Sequence, residues 1–255
     1  MRIALLSDIH ANLHALDGVL ADLDRQPDVA ALYHLGDLVG YSAFPNEVVA
    51  RLRERGIQGI AGNYDSTVAA DYKHCGCKSE SPRQEELAHM SYEFTRRTVS
   101  PATKALLRAL PFSLDLRPLG GHLAGPRLVL VHGTPTLNTL YFTEDRSDDF
   151  CRKMAAAVSL KSGDVLAFGH THKPWHRVVD GIHFVNTGSV GRPKDGDPRA
   201  GYVLLDIGNG DVRVEFVRVT YDVDAAAEAV IAAGLPEDFA AFLRAGGQPT
   251  VAASA

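Results

Sequence analysis

No apolar stretch in the 255 residues comes near the roughly 18–20 residues needed to cross a bilayer. Cysteine is scarce. Of the three, two fall in Cys75-Gly76-Cys77, which gives no disulfide framework and suits a reduced, cytoplasmic protein. Basic charge is not in excess either: 26 Lys plus Arg face 31 Asp plus Glu, a net charge of −5. That argues against recognition of nucleic acid through a broad basic surface. The opening, Met1 to Asp8, runs straight into a strand-like segment and turns acidic too early for a secretion signal. What remains is ordinary globular usage, 45% hydrophobic and 22% charged, which excludes wholesale disorder. The length fits one large domain, expected over 1–245, with a loop and helical lid inserted around 64–110. A flexible tail is expected at 246–255.

Strand and helix signals alternate along the chain. Apolar runs at 3–6, 30–35 and 57–61 are separated by helical patterns at 12–23 and 45–55, which reads as a buried parallel sheet covered by helices. Residues 64–82 are polar and read as a loop or lid. One or two helices follow over 83–110, broken near Ser100-Pro101. Strands are expected at 112–116, 127–131, 164–168, 176–179, 182–185, 201–206 and 211–218. Short turns at Asp180-Gly181 and 208–210 suggest hairpins. Helices return at 225–233 and 236–244.

Five of the apolar runs end on a metal-capable side chain beside glycine or in a tight turn. They finish in Ser7-Asp8-Ile9-His10, Gly36-Asp37, Gly62-Asn63, His132-Gly133 and Gly169-His170-Thr171-His172. In open α/β sheets the carboxyl ends of strands face a shared crevice, so residues about 160 positions apart can converge there. Two Asp, one Asn and four His form an oxygen and nitrogen donor set without thiolate. Such a set suits Mn²⁺, Fe²⁺/Fe³⁺ or Zn²⁺ rather than a Cys-rich structural zinc. Seven donors are too many for one tetrahedral ion and about right for two ions sharing a carboxylate. In Asp-x-His and His-x-His both side chains also fall on one face of an extended segment.

In this order the motifs resemble those of the calcineurin-like metallophosphoesterases, in their small prokaryotic phosphodiesterase branch. Asp8-Ile9-His10, Gly36-Asp37, Gly62-Asn63-Tyr64-Asp65, His132-Gly133 and Gly169-His170-Thr171-His172 match its pattern over about residues 1–206. The resemblance implies an αββα sandwich, two mixed sheets packed face to face with helices outside. It also implies two divalent metal ions. Asp8, His10, Asp37 and His172 would hold one, and Asp37, Asn63, His132 and His170 the other, with Asp37 bridging.

Phosphate-ester chemistry explains why such a pair would be useful. Two cations roughly 3.5–4 Å apart clamp phosphoryl oxygens and lower the pKa of a bridging water, which attacks phosphorus in line. Asp37, Asn63 and Tyr64 are the candidate catalytic residues. Tyr64 marks a departure, because family members carry His there to protonate the leaving oxygen. A tyrosine of ordinary pKa near 10 is a poorer acid near neutrality. Either Tyr64 serves as a weaker acid or substrate contact, or a group such as His74 on the lid takes the task, or catalysis is reduced and the domain recruits partners.

Asn12, Tyr64 and His170 are the candidate substrate contacts, Asn12 being equally suited to cap a helix. The loop Asn186-Thr187-Gly188-Ser189, with Arg192 and Lys194 after it, is either a phosphate-facing loop or a surface turn. His14, His34, His89, His122, His176 and His183 lack the strand-end setting and read as structural. Cys75 and Cys77 are too closely spaced for a usual zinc site. The sequence thus reads as a dinuclear, Mn²⁺-supported phosphodiesterase acting on a small phosphate ester. No obvious Arg/Lys cluster favours a dianionic monoester. A nucleotide or dinucleoside-polyphosphate hydrolase, a phosphomonoesterase and a low-activity scaffold are the alternatives. A homo-oligomer is compatible with all of them.

Overall fold

Strand side chains alternate between two faces, and in this chain both faces are apolar. Ile3 and Leu5 point one way from the first strand while Ala4 and Leu6 point the other, all four fully buried. A strand of that kind needs a layer on each side. The computed structural model describes residues 1–76, 81–117, 125–208 and 211–247.

The first half runs β1 (Arg2–Leu6), α1 (Leu13–Leu23), β2 (Val29–His34), α2 (Pro45–Glu54), β3 (Gln58–Gly59), α3 (Asn63–Ala69), α4 (Pro82–Thr98) and α5 (Pro101–Arg108). The second half runs β4 (Ser113–Leu116), β5 (Leu128–Val131), α6 (Asp148–Ala157), β6 (Val165–Phe168), β7 (Trp175–Val179), β8 (Ile182–Asn186), β9 (Ala200–Gly208), β10 (Asp211–Val219), α7 (Val223–Ala232) and α8 (Glu237–Ala245).

The strands form two five-stranded sheets, ordered β10-β9-β1-β2-β3 and β4-β5-β6-β8-β7. Both are mixed. In the first, β1, β2 and β3 run parallel as the β-α pattern predicts, but β9 and β10 add antiparallel partners on the other side. In the second, β5, β6 and β8 are parallel, flanked by antiparallel β4 and β7. Ile3, Leu5, Leu128, Leu130, Val165 and Ala167 fill the space between the sheets. Ala4 and Leu6 instead meet α1 and α2, and Leu166 and Phe168 meet α6 and Phe142. Helix, sheet, sheet and helix therefore stack as four layers, the architecture that the resemblance implies. No helix among the described residues is long and apolar enough to cross a membrane.

Three expectations need correction. Residues 64–69, expected in a loop, belong to α3, which begins at Asn63; the Asp65 carboxylate closes its first turn by accepting from the Gly62 N–H at 2.9 Å. Polar composition hid a short helix whose donors are satisfied from within. Cys75 is disulfide-bonded rather than free, while Cys77 lies outside the described residues and Cys151 is free and buried. Gly246 and Gly247, expected in a flexible tail, are anchored, the first accepting from Gly196 N–H at 2.9 Å and the second donating to the Phe242 carbonyl at 3.0 Å.

The breaks between helices follow local chemistry. Ser81 and Ser100 cap α4 and α5, accepting from Gln84 N–H (3.2 Å) and Thr103 N–H (3.1 Å), and each is followed by a first-turn proline. Proline there costs no hydrogen bond. At the C-terminus α7 and α8 pair through Ala227, Val230, Phe239 and Leu243, and the ring of Phe239 meets Tyr41 at 5.8 Å. Truncating a buried phenylalanine removes transfer energy and leaves a cavity. Phe239→Ala should lower the unfolding free energy by about 3–5 kcal/mol, read by denaturant titration. A loss below about 1 kcal/mol would mean that the hairpin does not support the fold.

Candidate metal centre

The seven residues singled out at strand ends come together where the two sheets meet. Asp8 and His10 follow β1, Asp37 follows β2, and Asn63 follows β3. From the facing sheet, His132 follows β5 while His170 and His172 follow β6. All seven are buried. Six of them form two close groups, Asp8 with His10 and His172, and Asp37 with His132 and His170, each set of donor atoms lying within 4.8 Å. Each group draws on both sheets.

Holding these side chains inward strains the backbone. Asp8 (φ 53°), His10 (φ 49°), Asp37 (φ 52°), His170 (φ 64°) and His172 (φ 60°) all sit in the left-handed region. That region costs a non-glycine residue roughly 1–2 kcal/mol, and such strain gathers at functional sites. Backbone bonds between neighbouring turns over-determine it: Asp8 N–H to Gly36 carbonyl (3.0 Å), His10 N–H to Asp37 carbonyl (2.9 Å) and Gly169 N–H to His132 carbonyl (2.8 Å). Gly62 and Gly169 are required by closeness. A Cβ on Gly62 would strike the Asp37 carboxylate, and one on Gly169 the side chains of Ser7 and Asp8.

The donor atoms themselves argue for cations. The Nδ1 of His10 lies 3.0 Å from the Val39 carbonyl and that of His172 lies 2.5 Å from the Arg192 carbonyl. Because carbonyls only accept, both Nδ1 atoms carry the proton, and both Nε2 atoms present lone pairs. Those two Nε2 atoms face each other at 3.1 Å. His132 repeats the arrangement: its Nδ1 donates to the Leu35 carbonyl (2.8 Å), turning Nε2 toward Asn63 Oδ1 (3.1 Å) and Asp37 Oδ2 (3.3 Å). Asp8 Oδ1 and His170 Nε2 are buried with no hydrogen-bond partner. Buried acceptors facing acceptors are costly, and a divalent cation in each group satisfies them. Carbonyls that fix the histidine tautomers are the usual outer partners of metal ligands.

The titration behaviour agrees. Burial works against the Asp8 charge, but His172 and His10 hold its carboxyl well below the usual range. Asp37 is also lowered, His132 outweighing the effect of burial. Burial draws His170 down to about 4 and His172 to about 3, helped by the charges of His132 and Lys194 respectively. His132 goes the other way. Burial opposes its charging, yet Asp37 pushes it up to about 10, so without a cation a proton stands there instead.

Other expected site residues fare differently. Asn63 places Oδ1 at the second group and its amide donates to the Cys75 carbonyl at 3.4 Å. Tyr64 lies beside His10, rings 5.7 Å apart, and packs against Tyr41 and Tyr92. Its hydroxyl is buried without a hydrogen-bond partner, and burial, reinforced by Tyr41, lifts its pKa well above 10. That environment disfavours Tyr64 as a proton donor near neutrality. Asn12 caps α1, accepting from Ala15 N–H (3.1 Å) and donating to the Gly191 carbonyl (3.0 Å) and Tyr221 Oη (3.2 Å). Both amide hydrogens are used inside the fold, so capping rather than phosphate contact describes it. His74 is exposed. Of the histidines read as structural, His176 and His183 stack on each other at 5.2 Å, and His122 lies outside the described residues.

Three supports escaped the sequence reading. Asp65 also accepts from Leu38 N–H at 2.9 Å, tying the Gly62 turn to the Gly36-Asp37 turn. Ser7 Oγ donates to Asp8 Oδ2 at 2.6 Å, and Ser189 Oγ to the Asp8 carbonyl at 2.7 Å. The apparent lack of basic residues is corrected too. The fold brings Arg192 and Lys194 to the centre, where the Lys194 charge acts on both His170 and His172. Of the two readings that the sequence left open for the loop before them, this placement favours the phosphate-facing one over a surface turn.

The sequence profile of the calcineurin-like phosphoesterase superfamily domain matches residues 1–210. The chain belongs to that superfamily. It is a phosphoric ester hydrolase. The chain is 29% identical over 252 residues to the uncharacterized protein MJ0912 of Methanocaldococcus jannaschii, covering 92% of this chain and 94% of that one. It is also 29% identical over 218 residues to the phosphodiesterase YfcE of Escherichia coli, covering 81% and 88%. Among solved structures, a metallophosphoesterase from Sphaerobacter thermophilus superposes with a TM-score of 0.74 at 27% identity, covering 96% of this chain and all of that one. Protein PH1004 of Pyrococcus horikoshii, at 22% identity, shares the fold with a TM-score of 0.81, covering 97% and 98%.

Two outcomes test the centre. Since His132 is protonated below about 10 in the metal-free protein, a cation entering its group must displace that proton. Metal titration at pH 8 in buffers of different ionisation enthalpy should show release of about one proton, with affinity rising as pH rises. Zero release would contradict this arrangement. Gly169→Ala, by pushing Asp8 aside, should weaken metal binding about 10- to 100-fold, measured by competition with a chelating dye. Unchanged affinity would show that Asp8 is not a ligand.

Proposed function

We propose that the chain is a dinuclear metal-dependent phosphodiesterase in which Asp8, His10, Asp37 and His172 hold one cation and Asp37, Asn63, His132 and His170 the other. One observation carries the reading: a single oxygen of Asp37, Oδ2, lies 3.7 Å from His10 Nε2 and 3.3 Å from His132 Nε2. It reaches a member of each group. Two cations so placed would neutralise phosphoryl charge and supply hydroxide at neutral pH for in-line attack, with Mn²⁺ a suitable choice for this donor set.

The chain's own residues do the rest. The other Asp37 oxygen accepts from Tyr64 N–H at 2.9 Å, fixing the carboxylate's orientation. Asn63 contributes a neutral oxygen, which keeps the centre from becoming too negative for an anionic ester. His170 lies under the ring of Tyr141 at 4.4 Å and borders the space where an ester would sit. Leaving-group protonation falls to solvent, given the buried hydroxyl of Tyr64, so esters with good leaving groups react best.

The preference for diesters rests on the likeness to a phosphodiesterase. A dianionic substrate such as a phosphomonoester or nucleotide is the second reading, favoured by the positive charge that Lys194 and Arg192 bring to the centre. Purified protein with added Mn²⁺ should hydrolyse bis-p-nitrophenyl phosphate and stop when a chelator is added. Turnover that persists in chelator would overturn the reading. Asp37→Asn should abolish turnover and lower metal content in both groups. Near-normal activity in that variant would sink the bridging assignment, and p-nitrophenyl phosphate hydrolysed faster than the diester would favour the second reading.

A further inference from the structure

Arg192 is built unlike the other arginines. Among the described arginines that are not exposed, its guanidinium alone has neither hydrogen bond nor ion pair; Arg2, Arg51, Arg96, Arg127, Arg177 and Arg218 all meet acidic partners. Aromatic rings hold it instead. Its central carbon lies 4.0 Å from the ring centroid of Tyr41 and 3.7 Å from that of Phe242 on α8. Ring faces satisfy the flat sides of a guanidinium and leave the N–H groups along its edge without acceptors. Burial draws its pKa below the usual value, and the titratable groups acting on it are the hydroxyls of Tyr41, Tyr64 and Tyr141, with no carboxylate among them.

Its position relates it to both metal groups. The Tyr41 ring stands edge-on to His10 at 4.9 Å, and the Tyr141 ring covers His170 at 4.4 Å. The Arg192 carbonyl accepts from His172 Nδ1. The segment carrying it is pinned at each end, by Gly191 N–H on the Asp8 carbonyl (3.1 Å) and by Gly196 N–H on the Gly246 carbonyl (2.9 Å). A partly buried fork of donors, pinned at its backbone and without an internal acceptor, is suited to bind a phosphate oxygen from outside.

Building on the proposed phosphoesterase activity, we propose that Arg192 binds an anionic oxygen of the substrate phosphate, and that helix α8, through Phe242, holds it ready to do so. The C-terminal hairpin, which lies beyond the superfamily match at residue 210, thereby becomes part of the active site. No covalent step is assigned to Arg192.

The test compares wild type with Arg192→Met, which keeps the apolar stem, Arg192→Lys, which keeps the charge but not the fork, and Phe242→Leu. Two readouts are taken on metal-loaded protein: KM and kcat for bis-p-nitrophenyl phosphate, and calorimetric binding of inorganic phosphate. Metal content of each variant is checked alongside. Arg192→Met should raise KM and the phosphate Kd by about 10-fold or more, with metal content unchanged and kcat affected less. Arg192→Lys should recover part of that loss, and Phe242→Leu should show a smaller rise. KM and phosphate affinity within about 2-fold of wild type in Arg192→Met would overturn the assignment, as would a kcat loss with KM unmoved. If the wild type fails to turn over the ester, the enzymatic reading fails separately, and phosphate binding alone decides the role of Arg192.

Discussion

The structure turns on a set of buried acceptors forced to face one another. Two carboxylates, one amide oxygen and four imidazoles are buried together, and in the absence of cations their mutual repulsion is offset only in part, by the proton that Asp37 draws onto His132 and by a few donors such as Ser7 and the Tyr64 N–H. A protein cannot place such groups together by side-chain packing alone, because each would gain by turning toward water or a donor. The backbone does it. Five of the seven donor residues adopt left-handed conformations, and bonds between adjacent turns leave them no alternative.

That demand explains why the centre lies between two sheets rather than on one. Each metal group takes residues from both, so neither exists until the sheets have packed. The inter-sheet core, with Ile3 and Leu5 against the strands that carry His132 and His170, is the element that sets the distances. Burial of each such side chain contributes about 1.5–3 kcal/mol, and together they can offset several strained residues. Outer partners then fix what the sheets position. Main-chain carbonyls choose the tautomers of His10, His132 and His172, while Ser7 and the His170 N–H occupy one oxygen of Asp8 and leave the other for a ligand.

The C-terminal hairpin extends this logic past the strand ends that carry the donors. Its apolar contacts hold Phe239 against Tyr41 and Phe242 against Arg192, so one hairpin sets both the wall beside His10 and the cation beside it. The loop bearing Arg192 also supplies the carbonyl that orients His172. The proposed metal ligation by His172 and the proposed presentation of positive charge to an ester would thus be mechanically joined in one short segment.

The sequence by itself determined the donor inventory. Asp8, His10, Asp37, Asn63, His132, His170 and His172 could be picked out because each ends an apolar run beside a glycine or a turn, and strand ends are where parallel sheets gather function. The helix breaks at Ser100-Pro101 and the hairpin at Asp180-Gly181 were legible for the same reason, since capping and turn chemistry act within a few residues. Which donors share a group was decided only by the packing of sheet on sheet, a relation between residues far apart in the chain. The same holds for Tyr64, whose identity suggested an acid but whose hydroxyl is sealed by Tyr41 and Tyr92. It holds for Asn12, whose amide is consumed by Gly191 and Tyr221, and for Arg192, whose setting depends on a helix some 50 residues further on. Local sequence specifies which atoms can donate or accept; burial and the neighbours brought by tertiary contact specify whether they are free to.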